Sequence, residues 1–365
     1  MTYLHASVAI ACGAVASLAV RARSRLSKSS RAIILVDNGS IRSNATLVLR
    51  KLAQSLENRL KCCVVPASAR WSSRVPAEEL GGVPAELFEP ALRRLLRGTM
   101  REGALCDAEV TVLPLFIGPS RTVTSFIPEI AHRVMAEMGG RVRMAPVLSD
   151  TEKSCDRDCA GADTLARVLL SQVGRVQRRL DASSVQGKGR ESTPGAGGRT
   201  TLIIVLDHGS PSRIVTSVRD AVAARLGELV RDGANRAVAS GTGPTAGQGI
   251  DDVGASTRPA IHVQAASMER REGSAYDYCE PLLERALAAA AVNQPLDADI
   301  IIAMLFALPG KHAGAGGDVA EIIEHACAAH PTLLGRVHVS PLLSDEPAIV
   351  DVLAQRAAQA RLLSS

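Results

Sequence analysis

Aromatic side chains are scarce in this sequence: one Trp, three Tyr and four Phe make up 2% of 365 residues. So few rings leave little material for the base-stacking platforms of single-strand nucleic-acid binding. Acidic residues are missing altogether before Asp37, and Arg21, Arg23, Arg25, Lys28 and Arg31 account for the whole net charge of +5. Beyond them the remaining Lys and Arg equal the 37 Asp and Glu, so the body of the chain is formally neutral and lacks the cationic footprint of a nucleic-acid partner.

Cysteine spacing excludes more. Cys12, Cys62, Cys63, Cys106, Cys155, Cys159, Cys279 and Cys327 do not form the framework of a small secreted domain, and a reducing compartment suits them better. Only Cys155 and Cys159 are spaced like metal ligands, with no second pair to complete a four-ligand zinc site. No Gly-x-Ser-x-Gly turn surrounds Ser40 or Ser210, so a hydrolase has no nucleophile to rest on. The Gly-rich run at 314–317 lacks both the Lys-Ser/Thr ending of a P-loop and the spacing of a dinucleotide fingerprint.

What is present is ordinary globular composition, 46% hydrophobic and 22% charged, in a chain long enough for two to three domains. A leader precedes the body: an apolar, small-residue stretch at 6–20, then an Arg- and Ser-rich segment to residue 30. Fifteen apolar residues are short for a membrane span. Acid-poor, Arg- and Ser-rich composition is that of organellar transit peptides, with a membrane anchor or a plain tail as the other readings. The expected location is therefore a plastid or mitochondrion if the leader is an address, and the cytoplasm otherwise.

The body repeats itself, and repeats decide folds. Residues 32–48, AIILVDNGSIRSNATLV, match 202–218, LIIVLDHGSPSRIVTSV. Glu89, Pro90 and Leu92 match Glu280, Pro281 and Leu283; LFIGPSRT at 115–122 matches LFALPGKH at 305–312; RVRMAPVLSD at 141–150 matches RVHVSPLLSD at 336–345. Offsets drift from 170 to 195 because the second copy carries an insertion at 233–259, rich in Gly, Ala, Ser and Thr. A Ser- and Gly-rich segment at 181–198 reads as a flexible linker between domains at 31–180 and 199–365.

Short apolar runs at 33–36, 202–206, 110–115 and 300–306 end in Gly- or Pro-containing turns, and amphipathic stretches follow at 127–138 and 319–329. Alternating buried strands and helices predict parallel sheets covered by helices on both faces, that is, two tandem doubly wound α/β domains.

Ligands of such sheets collect beyond the carboxyl ends of the strands. His208 follows the first strand of the second copy, and His312 follows a later one. Imidazoles converging there suit a first-row transition metal and suit accepting protons. Glu269, after the apolar run at 261–266, is the best acidic companion. His262, His325, His330 and His338 fall in strand or helix patterns and read as structural.

The strings VLDHGS, ASMERR followed by EPLLERAL, LFALPGKHAGAGGDVAEI and SPLLSD resemble the class II chelatase family, which inserts a divalent metal into sirohydrochlorin on the siroheme or cobalamin pathways. The resemblance spans most of 200–360 and, weakened, 32–150. It implies two chelatase-like, flavodoxin-like lobes facing across a cleft, here as tandem copies in one chain that would be a pseudo-dimeric monomer. It also implies Fe²⁺ or Co²⁺ and a tetrapyrrole as substrates, with no organic cofactor, no nucleic acid and no membrane contact by the folded body. Iron and siroheme are favoured if the leader is an organellar address.

On that reading His208 and His312 hold the metal, with Glu269 as third ligand or base. Ser210, Arg270, Arg271, Gly310 and Lys311 flank them toward the tetrapyrrole. The first copy departs from the pattern: Asn38 stands at the place of His208 and Thr122 at the place of His312. It offers Arg70, Arg74 and Arg121 instead, with Arg70 expected at the position equivalent to Glu269, and guanidinium forks suit the carboxylates of the substrate. The rival reading is a non-catalytic tetrapyrrole- or metal-binding protein, a metal chaperone included.

Overall fold

Each copy of the Asp-x-Gly-Ser opening is the end of a strand. The computed structural model describes residues 31–101, 109–150, 159–185, 200–239 and 260–363. The leader, Cys155, most of the Ser/Gly linker and most of the insertion lie outside them. Strand β1 (Arg31–Asp37) runs parallel to β2 (Cys63–Ser68) on one side and to β3 (Glu109–Pro114) on the other, and β4 (Arg141–Met144) is parallel to β3. In the second copy β5 (Thr201–Asp207) lies between β6 (Ile261–Ser267) and β7 (Asp299–Met304), with β8 (Val337–Val339) beyond β7. The orders β2-β1-β3-β4 and β6-β5-β7-β8 are the same, and are those of a flavodoxin-like doubly wound sheet. A two-residue strand, β9 (Arg361–Leu362), adds antiparallel to β4.

The α/β class expected from the alternating pattern is the one observed. Strand β5 is buried at all seven positions, as a strand covered on both faces must be. The helices are α1 (Ser43–Leu60), α2 (Phe88–Arg101), α3 (Ile127–Met138), α4 (Ala160–Val185), α5 (Arg213–Ala239), α6 (Leu283–Asn293), α7 (Asp318–Ala329) and α8 (Ala348–Ala358). Phe88, Ala91, Leu92, Leu95 and Leu96 recur on one face of α2 and are buried with Val110, Val112 and the inner face of α3. Each such leucine contributes about 1.5–3 kcal/mol of burial.

Domain boundaries differ from those expected at the linker. The chain separates into two compact units: one contains the described residues of Met1–Lys153 with Ala307–Gly314 and Pro347–Ser365, the other Ser154–Phe306 with Ala315–Glu346. Helix α4 continues to Val185, so the segment taken for linker begins as helix, and α5 continues to Ala239 into the insertion. The reason is where two helices dock. In the first unit Arg356 of α8, 2% exposed, donates to Leu148 O from Nε and Nη2, at 3.2 and 3.0 Å, and its Nη1 reaches Asp150 Oδ2 at 3.2 Å. In the second, Gln172 of α4 donates to Leu342 O at 2.8 Å, and Arg175 and Ser171 bind Glu346. Each Leu-Ser-Asp loop thus receives a helix from the other half of the chain.

Two glycines place the strand-end loops. Gly39 (φ +92°) and Gly209 (φ +88°) lie in the left-handed region, and a Cβ would fall 1.7 Å from Arg70 O at the first and 1.9 Å from Glu269 O at the second. No rotamer relieves a clash with a backbone oxygen. Gly209→Ala is expected to lower stability by at least about 2 kcal/mol in urea denaturation, whereas Gly82→Ala, with φ +81° but open space around it, loses about 1 kcal/mol. Equal losses would mean that dihedral strain, not the close approach, governs both.

Candidate functional site

The carboxyl end of β5 delivers His208 into the turn that Gly209 makes against Glu269. Two backbone bonds lock it: Met268 donates its N–H to Asp207 O at 2.8 Å and Glu269 donates to His208 O at 3.1 Å. The first unit repeats this, with Ala69 donating to Asp37 O at 2.8 Å and Arg70 to Asn38 O at 3.2 Å. Arg70 therefore occupies in its unit the place that Glu269 has in the other, as the sequence match anticipates.

Geometry gives His208 and Glu269 a shared direction. His208 Nδ1 is 2.9 Å from Gly209 O. A carbonyl oxygen only accepts, so Nδ1 carries a hydrogen, and in the neutral ring the lone pair is the one on Nε2. That Nε2 is 3.5 Å from Glu269 Oε1, with the two side chains 43% and 58% exposed. A lone pair and a carboxylate oxygen facing one another need a proton or a cation between them. Such a nitrogen and oxygen pair suits a divalent first-row metal ion or a proton in transit.

The remaining expected residues fall into three groups. Arg270 is engaged within its own loop: Nε is 3.0 Å from Glu280 Oε1, and Nη1 is 2.5 Å from Asp277 Oδ1. Ser210 shapes the turn, its Oγ accepting the N–H of Ser212 at 3.1 Å and its carbonyl accepting Tyr278 OH at 3.1 Å, while the Arg271 guanidinium stands 6.0 Å over the Tyr276 ring. Gly310, Lys311 and His312 lie on the Ala307–Gly314 segment, which packs with the first unit: a Cβ on Gly310 would be 3.5 Å from Ser40 Oγ. The second unit by itself brings together His208 and Glu269; His312 is carried by the other. Among the described residues no group of three His, Cys, Asp or Glu side chains is gathered to hold a metal alone.

In the first unit Thr122 Oγ1 and Asn38 Oδ1, the positions matching the histidines, are 3.3 Å apart. The Arg70 guanidinium stacks 4.0 Å over Phe126, Arg74 lies 4.8 Å over the exposed Trp71, and Arg121 is exposed. A cavity of about 380 Å³ opens nearby, lined by Pro119, Val123, Met144, Val147, Arg361 and Leu362. Cys159 caps α4, its Sγ accepting the N–H of Ala162 at 3.2 Å.

Sequence reasoning missed what stands behind His208. Asp207 Oδ1 accepts from Gly209 N–H at 3.1 Å and from Ser267 Oγ at 2.6 Å, and the buried Arg219 lies beside them. Burial raises the Asp207 carboxyl, and Arg219 pulls it back. In the first unit burial pushes Asp37 up to about 6, with only the Ser68 hydroxyl and backbone N–H groups opposing it. The signal was available in the repeat alignment, where Arg219 falls opposite Leu49.

No family model and no curated protein matches this chain. Among solved structures it is similar in fold to SirB from Bacillus subtilis with Fe³⁺, at TM-score 0.53 and 11% identity over 90% of this chain and 94% of that one. It is similar also to the sirohydrochlorin chelatase SirB from Bacillus subtilis subspecies spizizenii in complex with cobalt, at TM-score 0.52 and 10% identity over the same shares.

Proposed function

We propose that this chain inserts a divalent metal ion, Fe²⁺ or Co²⁺, into sirohydrochlorin, as a class II chelatase in tandem-repeat form. The observation that carries the reading is Nε2 of His208 facing Glu269 Oε1 across 3.5 Å at the carboxyl edge of the sheet, where ligands of such folds collect. Support comes from the fold shared with a chelatase seen with iron and with cobalt.

His208, Glu269 and His312 act as donors to the incoming ion. The metal enters as the pyrrole protons leave, and Glu269 or an imidazole accepts them. Arg70, Arg74, Arg121, Arg271 and Lys311 attract the substrate's carboxylates; Arg270, held by Asp277 and Glu280, orders its loop. Ser210 and Gly310 keep the loops low enough for a planar ring. The leader lies outside the described residues, among which no helix is long and apolar enough to cross a membrane; an organellar location would favour iron.

The test is anaerobic insertion into sirohydrochlorin, followed by absorbance with Fe²⁺, Co²⁺ and Ni²⁺ in parallel. Metalation faster than the uncatalysed control is expected with Fe²⁺ or Co²⁺. Tight tetrapyrrole binding without turnover would establish the non-catalytic carrier instead, the reading favoured by a first copy in which Asn38 and Thr122 stand at the places of both histidines.

Glu269→Gln separates the two roles of the carboxylate. If it only accepts protons, Co²⁺ affinity stays near wild type and insertion slows by about 10²- to 10⁴-fold. A ligand role lowers affinity as well. Wild-type values for both would remove Glu269 from the site.

A further inference from the structure

The two units differ behind their strand-end loops as well as on them. In the second, Arg219 of α5 donates from Nη1 to Ser267 Oγ at 2.5 Å, and Ser267 Oγ donates to Asp207 Oδ1 at 2.6 Å. That same oxygen accepts the N–H of Gly209 at 3.1 Å. Gly209 is the residue whose carbonyl orients His208 Nδ1 and whose Cα lies against Glu269 O. A relay of hydrogen bonds therefore runs from a buried guanidinium to the peptide on which both site residues rest.

Arg219 has a second set of bonds that is purely structural. Its Nη1 and Nη2 donate to Cys279 O at 3.0 Å and Tyr278 O at 3.2 Å, and Nη2 pairs with Asp220 Oδ1 at 2.7 Å. These tie α5 to the short helical turn Ser274–Cys279. In the first unit the match of Arg219 is Leu49, 2% exposed, and the match of Asp220 is Arg50. Arg50 makes the corresponding tie, donating to Leu80 O at 2.9 Å and Val83 O at 2.7 Å at the end of the turn Ala77–Leu80. Both units keep an arginine between helix and turn. Only the unit with His208 sends the cation behind the strand end; in the other, Ser72 Oγ donates to Ser68 Oγ at 2.8 Å.

We propose that Arg219 is a positioning residue of the His208 and Glu269 pair: through Ser267 it keeps Asp207 Oδ1 on the Gly209 N–H and so holds the turn that aims both side chains. Its geometry stands on the second unit alone; its consequence for metal rests on the chelatase reading.

The experiment uses the full chain and three variants. Arg219→Leu with Asp220→Arg transplants the first unit's tie and removes the buried cation. Ser267→Ala leaves the structural bonds of Arg219 and cuts the relay. Arg219→Lys keeps the charge. The first readout is amide hydrogen exchange at Gly209, which needs no metal. Loss of one hydrogen bond is expected to speed it about tenfold in the double variant and in Ser267→Ala, with a smaller change in Arg219→Lys.

The second readout is Co²⁺ binding and the KM for metal against kcat. Both constants for the metal are expected to rise about tenfold while kcat changes less, with Lys restoring part of the difference. Wild-type Gly209 exchange in Ser267→Ala would overturn the relay, whether or not the double variant folds. Faster Gly209 exchange with unaltered Co²⁺ affinity would overturn the positioning role. A wild-type chain that neither binds nor inserts metal would sink the chelatase reading, and the exchange result would still decide whether Arg219 holds the turn.

Discussion

Replacing His208 by alanine is expected to slow metal insertion at least about a hundredfold, the lower end of what one positioned acid–base or donor group supplies. The expectation comes from the ring's fixed orientation. With Nδ1 turned to Gly209 O at 2.9 Å, the lone pair of Nε2 has one direction, toward Glu269 Oε1. Alanine leaves the turn and removes the donor. His312→Ala should behave alike, while Asn38→Ala and Thr122→Ala, which alter only an amide and a hydroxyl 3.3 Å apart, should change the rate by less than about threefold. Initial rates with Co²⁺ measure all four. If the substitutions at Asn38 and Thr122 were as damaging as those of the histidines, the assignment of chemistry to the second copy would be wrong. Asn38→His with Thr122→His then asks whether a second metal site can be rebuilt on the same loops.

Asp37→Asn is expected to stabilise the protein at neutral pH by up to about 3 kcal/mol, because the carboxyl titrates near 6 when folded and near 3.9 when unfolded. Burial is the main cause, and among the described residues no cation opposes it: the match of Arg219 is Leu49, and Oδ1 has no hydrogen-bond partner. Between about pH 4 and 6 the folded chain holds the proton that the unfolded chain has released. Stability contributed by this group therefore falls as pH rises through that window and is level above it. Asparagine keeps an acceptor for the Gly39 N–H and has no charge to desolvate. Urea denaturation from pH 4 to 8 should show the variant lacking that decline, and parallel curves for variant and wild type would contradict the raised carboxyl.

What could be read from the sequence was local. The strand at 33–36 and the helix at 127–138 were visible because apolar spacing reports which side of an element is buried, and the observed elements Arg31–Asp37 and Ile127–Met138 match them. The repeat made the equivalence of Arg70 and Glu269 visible, since a shared turn places both against a glycine Cα. Partner choice was not visible. The periodicity of α4 and α8 shows that each has an apolar face, and says nothing of which sheet that face meets. Arg270 looked available to a ligand because its partners, Asp277 and Glu280, approach only once the intervening loop has folded back. Arg219 was overlooked because an arginine in a helix is ordinarily solvated, and here it is 2% exposed.

The interleaving of the two units bears on how the protein is made. The first sheet gains β9, and its Leu148 and Asp150 loop gains Arg356, from residues synthesised only after the whole second sheet. Nearly two hundred residues separate Asp150 from Pro347. At about 5–20 residues per second their synthesis occupies on the order of ten to forty seconds. Throughout that interval β4 is an uncapped edge and the cleft meant for α8 is open, so the first sheet waits, incomplete, while the second is being made.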